Sequence, residues 1–272
     1  MSASPPRLSL CLVVRNAATD LRRTLSSFEN QAAGLQALPT ELVLVDGAST
    51  DGSLQLAQHW AASAFLPTRL LQQPPQGIYA AMNLAWRQAS GNWLLFINAG
   101  DLLLNALSLV NVLDAAERDN IDSVQAQAAI FAPGCRWACV PTRRSTPCHQ
   151  SLLYRRCLHQ SFGPYNERLG LCADTLLMQQ FPKNRHREQT LLLAATQVSP
   201  RNASRHPERV RQDLQKLQYW QIALEPWPAP GRTLLLLQLE QFLGLSLSVW
   251  IKALVEVLNG SRRLIRLPDD RS

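Results

Sequence analysis

The chain has 272 residues, 46% of them hydrophobic and 17% charged, with a formal net charge of +7. That length suits one large domain or a domain with an appendage, and the apolar share excludes wholesale disorder. The positive balance favours anionic partners such as nucleotides, acidic glycans, anionic lipid or nucleic acid, and it serves plain solubility as well.

The start, "MSASPPRLSLCLVVRN", does not read as a signal peptide: its apolar run is short and Arg15 follows it. "LSLCLVV" (Leu8–Val14) is a continuous apolar run, the pattern of a strand buried on both faces. "DLRRTLSSFENQ" follows with Leu21, Leu25 and Phe28 at helical spacing. "ELVLVDGASTDGS" is a second strand ending in Asp46-Gly47, after which Ser49, Thr50 and Asp51 offer caps for the helix "LQLAQHWAASA". "RLLQQ" fits a short third strand. "GIYAAMNLAWRQASG" predicts a helix closed by Gly91. "WLLFIN" predicts a fourth strand and "NALSLVNVLDAAERD" the next helix. Strand and helix alternate to about residue 120, the signature of an α/β domain with a parallel sheet.

In open parallel sheets, ligands bind beyond the carboxyl ends of the strands. Two predicted strands end there in a carboxylate, at Asp46 and Asp101, and like charges at neighbouring tips are costly unless something uses them. Each also fits a turn or helix cap. "RNAATD" after the first strand holds no glycine, which excludes a dinucleotide fingerprint, and no Gly-Lys-Ser/Thr phosphate loop occurs. Six cysteines, at 11, 135, 139, 148, 157 and 172, form no disulfide framework and point to a reduced, cytosolic chain. The spacings of Cys135, Cys139, Cys148, His149, Cys157 and His159 match no standard zinc-ligand pair.

Taken together, "LSLCLVVRN", "ELVLVDGASTDGS", "GIYAAMNLAWRQASG", "WLLFINAGD", "HQSLLYRR" and "FGPYNERLGLCADTLLM" resemble, in order, the motifs of bacterial family 2 glycosyltransferases with the GT-A fold, of the exopolysaccharide and colanic-acid cluster type. The resemblance spans about residues 8 to 181. It implies that Asp46, Arg15 and Asn16 contact the nucleoside of a nucleotide-diphosphate sugar. It implies that Asp101 binds Mg²⁺ or Mn²⁺, a hard cation that bridges the donor diphosphate. Asn98, His149 and Gln150 would lie near donor or metal. Asp174 would be the base that takes the proton of an acceptor hydroxyl, although an acid opening the helix "TLLMQQF" is also a natural cap. Asn83 fits either a diphosphate contact or a structural cap. Met82, Leu84, Ala85 and Trp86 on the same helix read as core. Several positions depart from the family pattern. Asn98 and Ala80 stand where an acid is usual, Gln76 where an acid or base is, Leu84 where a lysine or arginine is often seen, and Thr175 where an aromatic and a second acid follow the "AD" pair. A catalytically weakened relative stays among the alternatives for that reason.

The C-terminal third is different. Residues 201–220 are basic with a helical pattern, and "EPWPAPG" breaks the chain. In residues 233–258, Gln238, Gln241, Ser248, Lys252 and Glu256 fall on one arc of a helix whose other side is apolar. Interrupting charges argue against a membrane span. The stretch suits a membrane surface, with Trp250, Arg262, Arg263 and Arg266 toward headgroups, or packing on the catalytic domain or a second copy in a homodimer.

The expectation is therefore a GT-A domain at 1–200, its nucleotide-sugar half at 1–120 and its acceptor half at 121–200, followed by a basic, amphipathic helical extension at 201–272. Its activity would be inverting transfer of a sugar to a glycan or lipid-linked glycan, in the cytoplasm or at the inner membrane face. A sugar nucleotidyltransferase would want a glycine- and arginine-rich loop that "RNAATD" does not supply. A nucleic-acid binder would want exposed aromatics among its basic residues, a pattern this sequence lacks.

Overall fold

The computed structural model describes residues 5–131, 137–141, 148–197, 212–213, 215–216 and 262–267. Its first half runs β1 (Leu8–Val14), α1 (Ala18–Asn30), α2 (Ala32–Ala37), β2 (Thr40–Asp46), α3 (Ser53–Ser63), β3 (Thr68–Gln72), α4 (Ile78–Gln88) and β4 (Trp93–Phe96). Every residue of β1 and β2 is buried, because helices cover both faces of the sheet. The period-two alternation of the strand divides β1 between two cores. Leu8, Leu10, Leu12 and Val14 pack with Leu21, Leu25 and Phe28 of α1, whereas Cys11 and Val13 pack with Met82 and Ala85 of α4. The strands pair in parallel in the order β3-β2-β1-β4, with Val14 opposite Asp46, so their carboxyl ends open on one side.

The second half runs β5 (Leu102–Leu103), α5 (Leu109–Arg118), β6 (Ser123–Phe131), β7 (Trp137–Pro141), β8 (Leu152–Arg155), α6 (Leu158–Phe162), α7 (Ala173–Gln179), β9 (His186–Gln197) and β10 (Arg262–Arg266). The sheet continues from β4 through β8, β6 and β7 to β10 by antiparallel pairing, while β9 lies parallel to β6 and also holds β5.

Two features differ from the sequence expectation. Helix α4 ends at Gln88 with Ala89 as its cap, before Gly91 is reached. Gly91 serves a close approach instead: a Cβ there would lie 2.7 Å from the Ser9 backbone nitrogen. The arginine cluster Arg262–Arg266, expected in the helical extension and facing lipid headgroups, is the edge strand β10 of the main sheet. Leu267 just after it is 4% exposed and packs with Phe131, Val140 and Ala195. Part of the 201–272 segment thus joins the main sheet, covering what would be an open edge at β7. Residues 233–258 lie outside the described residues.

The end of the sheet away from the open side is braced by a buried carboxylate. Glu41 Oε1 accepts from the Ser9 hydroxyl, the Ser90 N–H and hydroxyl, and the Gly91 N–H. Burial alone would raise its pKa, but these donors hold it below the ordinary value.

Candidate active site

A cleft of about 680 Å³ opens where the parallel strands end. Its wall takes Arg15 and Asn16 from just after β1, Gly47 from just after β2, Asn98, Gly100 and Asp101 from the turn after β4, Gly77 and Tyr79 from the start of α4, His149 and Gln150 from a 3₁₀ turn, and Asp174 from the start of α7.

The nucleoside side is rigidly framed. Asn16 adopts φ +49°, a left-handed conformation that asparagine tolerates. Its N–H donates to Ser49 Oγ at 2.9 Å, and its Oδ1 accepts the Thr50 N–H at 2.7 Å. Asp51 ties two helix starts together, accepting from Ala18 N–H with Oδ2 and from Ser53 N–H with Oδ1, each at 3.0 Å. Asp46, wholly buried beneath this loop, accepts the Ser49 N–H with Oδ2 at 2.9 Å, and its Oδ1 has no partner. An orphaned buried carboxylate oxygen is costly unless a ligand completes it.

Asp101 lies across the cleft from this loop's strand. Its backbone carbonyl accepts the Thr24 hydroxyl at 2.8 Å, and the same hydroxyl accepts the Gly100 N–H at 2.9 Å. Gly100, at φ +100°, turns the chain so that Asp101 faces inward. Burial pushes the Asp101 carboxyl up to about 7, an effect the charge of His149 and hydrogen bonds from Gln150 and Gln197 offset only partly. A carboxylate so starved of compensation is stabilised by a cation. On the same turn, Asn98 Oδ1 is buried without a partner, a second oxygen in want of one. Asp20, from the first turn of α1, lines the cleft too, and Gln197 joins the acids: its N–H reaches Asp101 Oδ1 at 3.3 Å and its amide reaches Asp20 Oδ1 at 3.4 Å.

The third group centres on Asp174. Its Oδ1 accepts the Tyr79 hydroxyl at 2.9 Å and the Thr175 N–H at 2.8 Å, and its Oδ2 accepts His149 Nδ1–H at 2.8 Å. Burial works to raise the Asp174 pKa, but the hydrogen bond and charge of His149, with the Thr175 and Tyr79 donors, bring it below the ordinary carboxylate value. Burial in turn lowers the His149 pKa, and the Asp174 bond, with the charges of Asp174 and Asp101, raises it overall. On its far side, His149 Nε2 lies 3.1 Å from Asn98 Nδ2.

The structure thus brings Arg15, Asn16, Asn98, Asp101, His149 and Asp174 to one cleft, with Asp46 directly beneath. Asn83 stands apart. It is fully buried, donating to Tyr165 O and Glu167 Oε1 and accepting from Trp86 Nε1 and Tyr165 N, so it joins α4 to the 165–167 loop. His159 is likewise internal, stacked 4.3 Å from the Trp86 ring and bonded to Tyr154, its pKa lowered to about 4 by burial. Sequence reading missed Asp20, Tyr79, Gln197, Arg168 and Lys216, all in the cleft wall. Tyr79 sits inside the "GIY" stretch and Asp20 opens a helix after the first strand tip, both legible signals. Lys216 could not be placed from sequence. It is held by Asp213, which accepts the Gly170 and Leu171 N–H groups at 2.8 Å, and Lys216 Nζ donates to Arg168 O at 2.8 Å.

Comparison with known proteins bears on the family and the fold. The family model "Glycosyl transferase family 2" matches residues 9–162. A "PGL/p-HBAD biosynthesis glycosyltransferase" of Mycobacterium bovis is 35% identical over 177 residues, covering 62% of this chain and 67% of the relative. "Uncharacterized glycosyltransferase YibD" of Escherichia coli is 28% identical over 146 residues, 53% of this chain and 41% of that protein. Among solved structures, the mannosyltransferase PcManGT from Pyrobaculum calidifontis, in complex with GDP-Man and Mn²⁺, aligns with TM-score 0.58 at 19% identity, over 95% of this chain and 78% of that one. S. aureus TarS 1-349 in complex with UDP aligns with TM-score 0.56 at 18% identity, over 84% and 68% respectively. These structural likenesses establish the fold, the mixed α/β GT-A architecture.

Proposed function

The chain belongs to glycosyl transferase family 2, and from that membership we propose that it is an inverting transferase whose base is Asp174. The supporting observation is the state of that carboxylate. Its donors hold its pKa below the ordinary carboxylate value, it is 13% exposed, and three of its four lone-pair positions are filled by Tyr79, Thr175 and His149. One lone pair on Oδ2 is left for an acceptor hydroxyl. As the hydroxyl oxygen bonds to the anomeric carbon, its proton passes to Asp174 Oδ2, and the electron pair of the broken glycosyl bond leaves with the nucleoside diphosphate. Asp46, with its unpaired Oδ1, and Arg15 hold the nucleoside end, and the Asn16–Ser49–Thr50 bonds keep that surface in place.

Asp101 would hold Mg²⁺ or Mn²⁺, which when bound neutralises charge on the leaving diphosphate. The destabilised carboxylate fits that role, and magnesium in particular is held by one or two carboxylates with substrate phosphates and water. Arg168 and Lys216 also line the cleft, suited to an anionic group on donor or acceptor.

The acceptor is a glycan or lipid-linked glycan. Surface polysaccharide of the exopolysaccharide or colanic-acid type is one source, and acceptors of the PGL/p-HBAD biosynthesis named for the mycobacterial relatives are another. No described helix is long and apolar enough to cross a membrane. Peripheral contact with a membrane therefore rests on the sequence pattern of 233–258 and on Arg263 and Arg266, exposed on the edge strand. Thermal shift against UDP-, GDP- and dTDP-sugars with Mn²⁺ tests the donor assignment. One donor should stabilise the wild type by several degrees, and no response across the panel would refute it.

A further inference from the structure

We propose that His149 is a positioning residue of the base: its Nδ1–H fixes the Asp174 carboxylate, while Asn98 holds the opposite ring nitrogen from the donor side of the cleft. The inference rests on the reading of Asp174 as base and gives His149 a role distinct from donor contact.

The geometry is a continuous chain. Asn98 Nδ2 meets His149 Nε2 at 3.1 Å, His149 Nδ1 meets Asp174 Oδ2 at 2.8 Å, and Asp174 Oδ1 meets the Tyr79 hydroxyl at 2.9 Å. Its ends belong to different parts of the fold. Asn98 follows β4, whose turn also carries Asp101, and Asp174 opens α7 on the far wall. The His149 side chain is 19% exposed and that of Asp174 13%, so both are screened from water yet open to the cleft.

The chain works in either protonation state of the imidazole. In the neutral ring, the Asn98 amide donates to Nε2, which leaves the proton on Nδ1 and pointed at Asp174. In the charged ring, Nε2–H needs an acceptor, and the Asn98 amide supplies one by turning round its Oδ1, which has no other partner. Both arrangements keep Nδ1–H on Asp174. Asn98, unlike an acid, both donates and accepts, which gives a physical reason for a neutral amide at this strand tip. With Tyr79 and Thr175 holding Oδ1, the His149 bond removes the last rotation of the carboxylate. The one unfilled lone pair of Oδ2 is thereby aimed into the cleft.

Isosteric substitutions separate the two ring nitrogens. An asparagine amide nitrogen reaches the position of histidine Nδ1, and a glutamine amide nitrogen reaches that of Nε2. Steady-state turnover and donor Kd are measured for His149→Ala, His149→Asn and His149→Gln, with Asp174→Asn as control. His149→Ala and His149→Gln should lose about 10–100-fold in kcat with donor Kd unchanged, the usual effect of removing a group that orients a reactive one. His149→Asn should recover most of that loss. Should alanine prove too unstable to purify, the asparagine–glutamine pair carries the comparison alone. A rise in donor Kd with kcat retained in these variants would make His149 a donor-site residue and overturn the proposal. Asparagine as slow as glutamine would overturn it as well. Full turnover by Asp174→Asn would instead remove the base assignment itself, whereas a slow Asp174→Asn beside a fast His149→Ala refutes only the positioning role.

Discussion

Replacing Asp174 by asparagine removes one proton acceptor while keeping the shape of the site. The carboxylate receives three donors, from Tyr79, Thr175 and His149. An asparagine keeps its oxygen on Tyr79 and Thr175 and turns its NH₂ toward His149 Nδ1. That nitrogen accepts once the ring carries its proton on Nε2, and the Asn98 amide then accepts from Nε2 with its free oxygen. No donor is left facing a donor. The cost to the fold is the charge assistance of these bonds, about 1–2 kcal/mol, a few degrees in melting temperature. Loss of a positioned base is a larger effect, about 10²–10⁴-fold in turnover. A phosphatase-coupled assay of nucleoside-diphosphate release at saturating donor measures it, alongside donor Kd by calorimetry. Turnover surviving with donor affinity collapsed would show that Asp174 serves the donor and that the base lies elsewhere.

Other outcomes follow from the same structure. Asp101→Asn should abolish stimulation of activity by Mn²⁺ and leave the circular dichroism spectrum unchanged, and full stimulation in that variant would refute the metal role. Glu41→Ala takes the acceptor from the buried Ser9 hydroxyl and from the Ser90 N–H and hydroxyl, while the Gly91 N–H keeps Ser9 Oγ, and should cost about 1–3 kcal/mol in urea denaturation without change in donor Kd. Because the folded pKa of Glu41 is lowered, its contribution is present above the ordinary glutamate value of about 4.3 and is lost as pH falls below it. The wild-type advantage over Glu41→Gln in melting temperature should therefore shrink from pH 6 to pH 3. Leu267→Ala should cost about 2–5 kcal/mol, since that side chain fills a core with Phe131 and Val140. A wild-type melting curve would show that β10 is dispensable.

The parallel half of the fold was legible because its strands are wrapped on both faces and read as unbroken apolar runs, "LSLCLVV" and "ELVLVD". Asp101 ends such a run and lines the cleft, while Asp46 ends its own run wholly buried just beneath the cleft wall, under the Ser49 loop. The second half was less legible. Its strands pair antiparallel across long sequence separations, and nothing local in "RRLIR" announces a partner in β7 more than 120 residues earlier. Asn83 lies in an apolar helix and faces inward, yet the backbone groups of Tyr165 that satisfy it are 82 positions away. Lys216 reaches the cleft only because Asp213 clasps the 170–171 loop, a tertiary contact with no signature in the basic run around it. The link between His149 and Asp174 was hidden in the same way, each residue reading alone as a motif member or a helix cap.

The most direct measurement is calorimetric titration of a nucleoside diphosphate in Mn²⁺ into the wild type and Asp46→Asn. The asparagine oxygen still accepts the Ser49 N–H, so the loop stays folded while the unpaired oxygen becomes an amide. One saturable site is expected for the wild type, with Kd raised about 10–100-fold in the variant, the loss of a charged hydrogen bond. Equal affinity of the two proteins, or no binding by the wild type to any nucleoside diphosphate, would contradict the assignment of this cleft to a nucleotide-sugar donor.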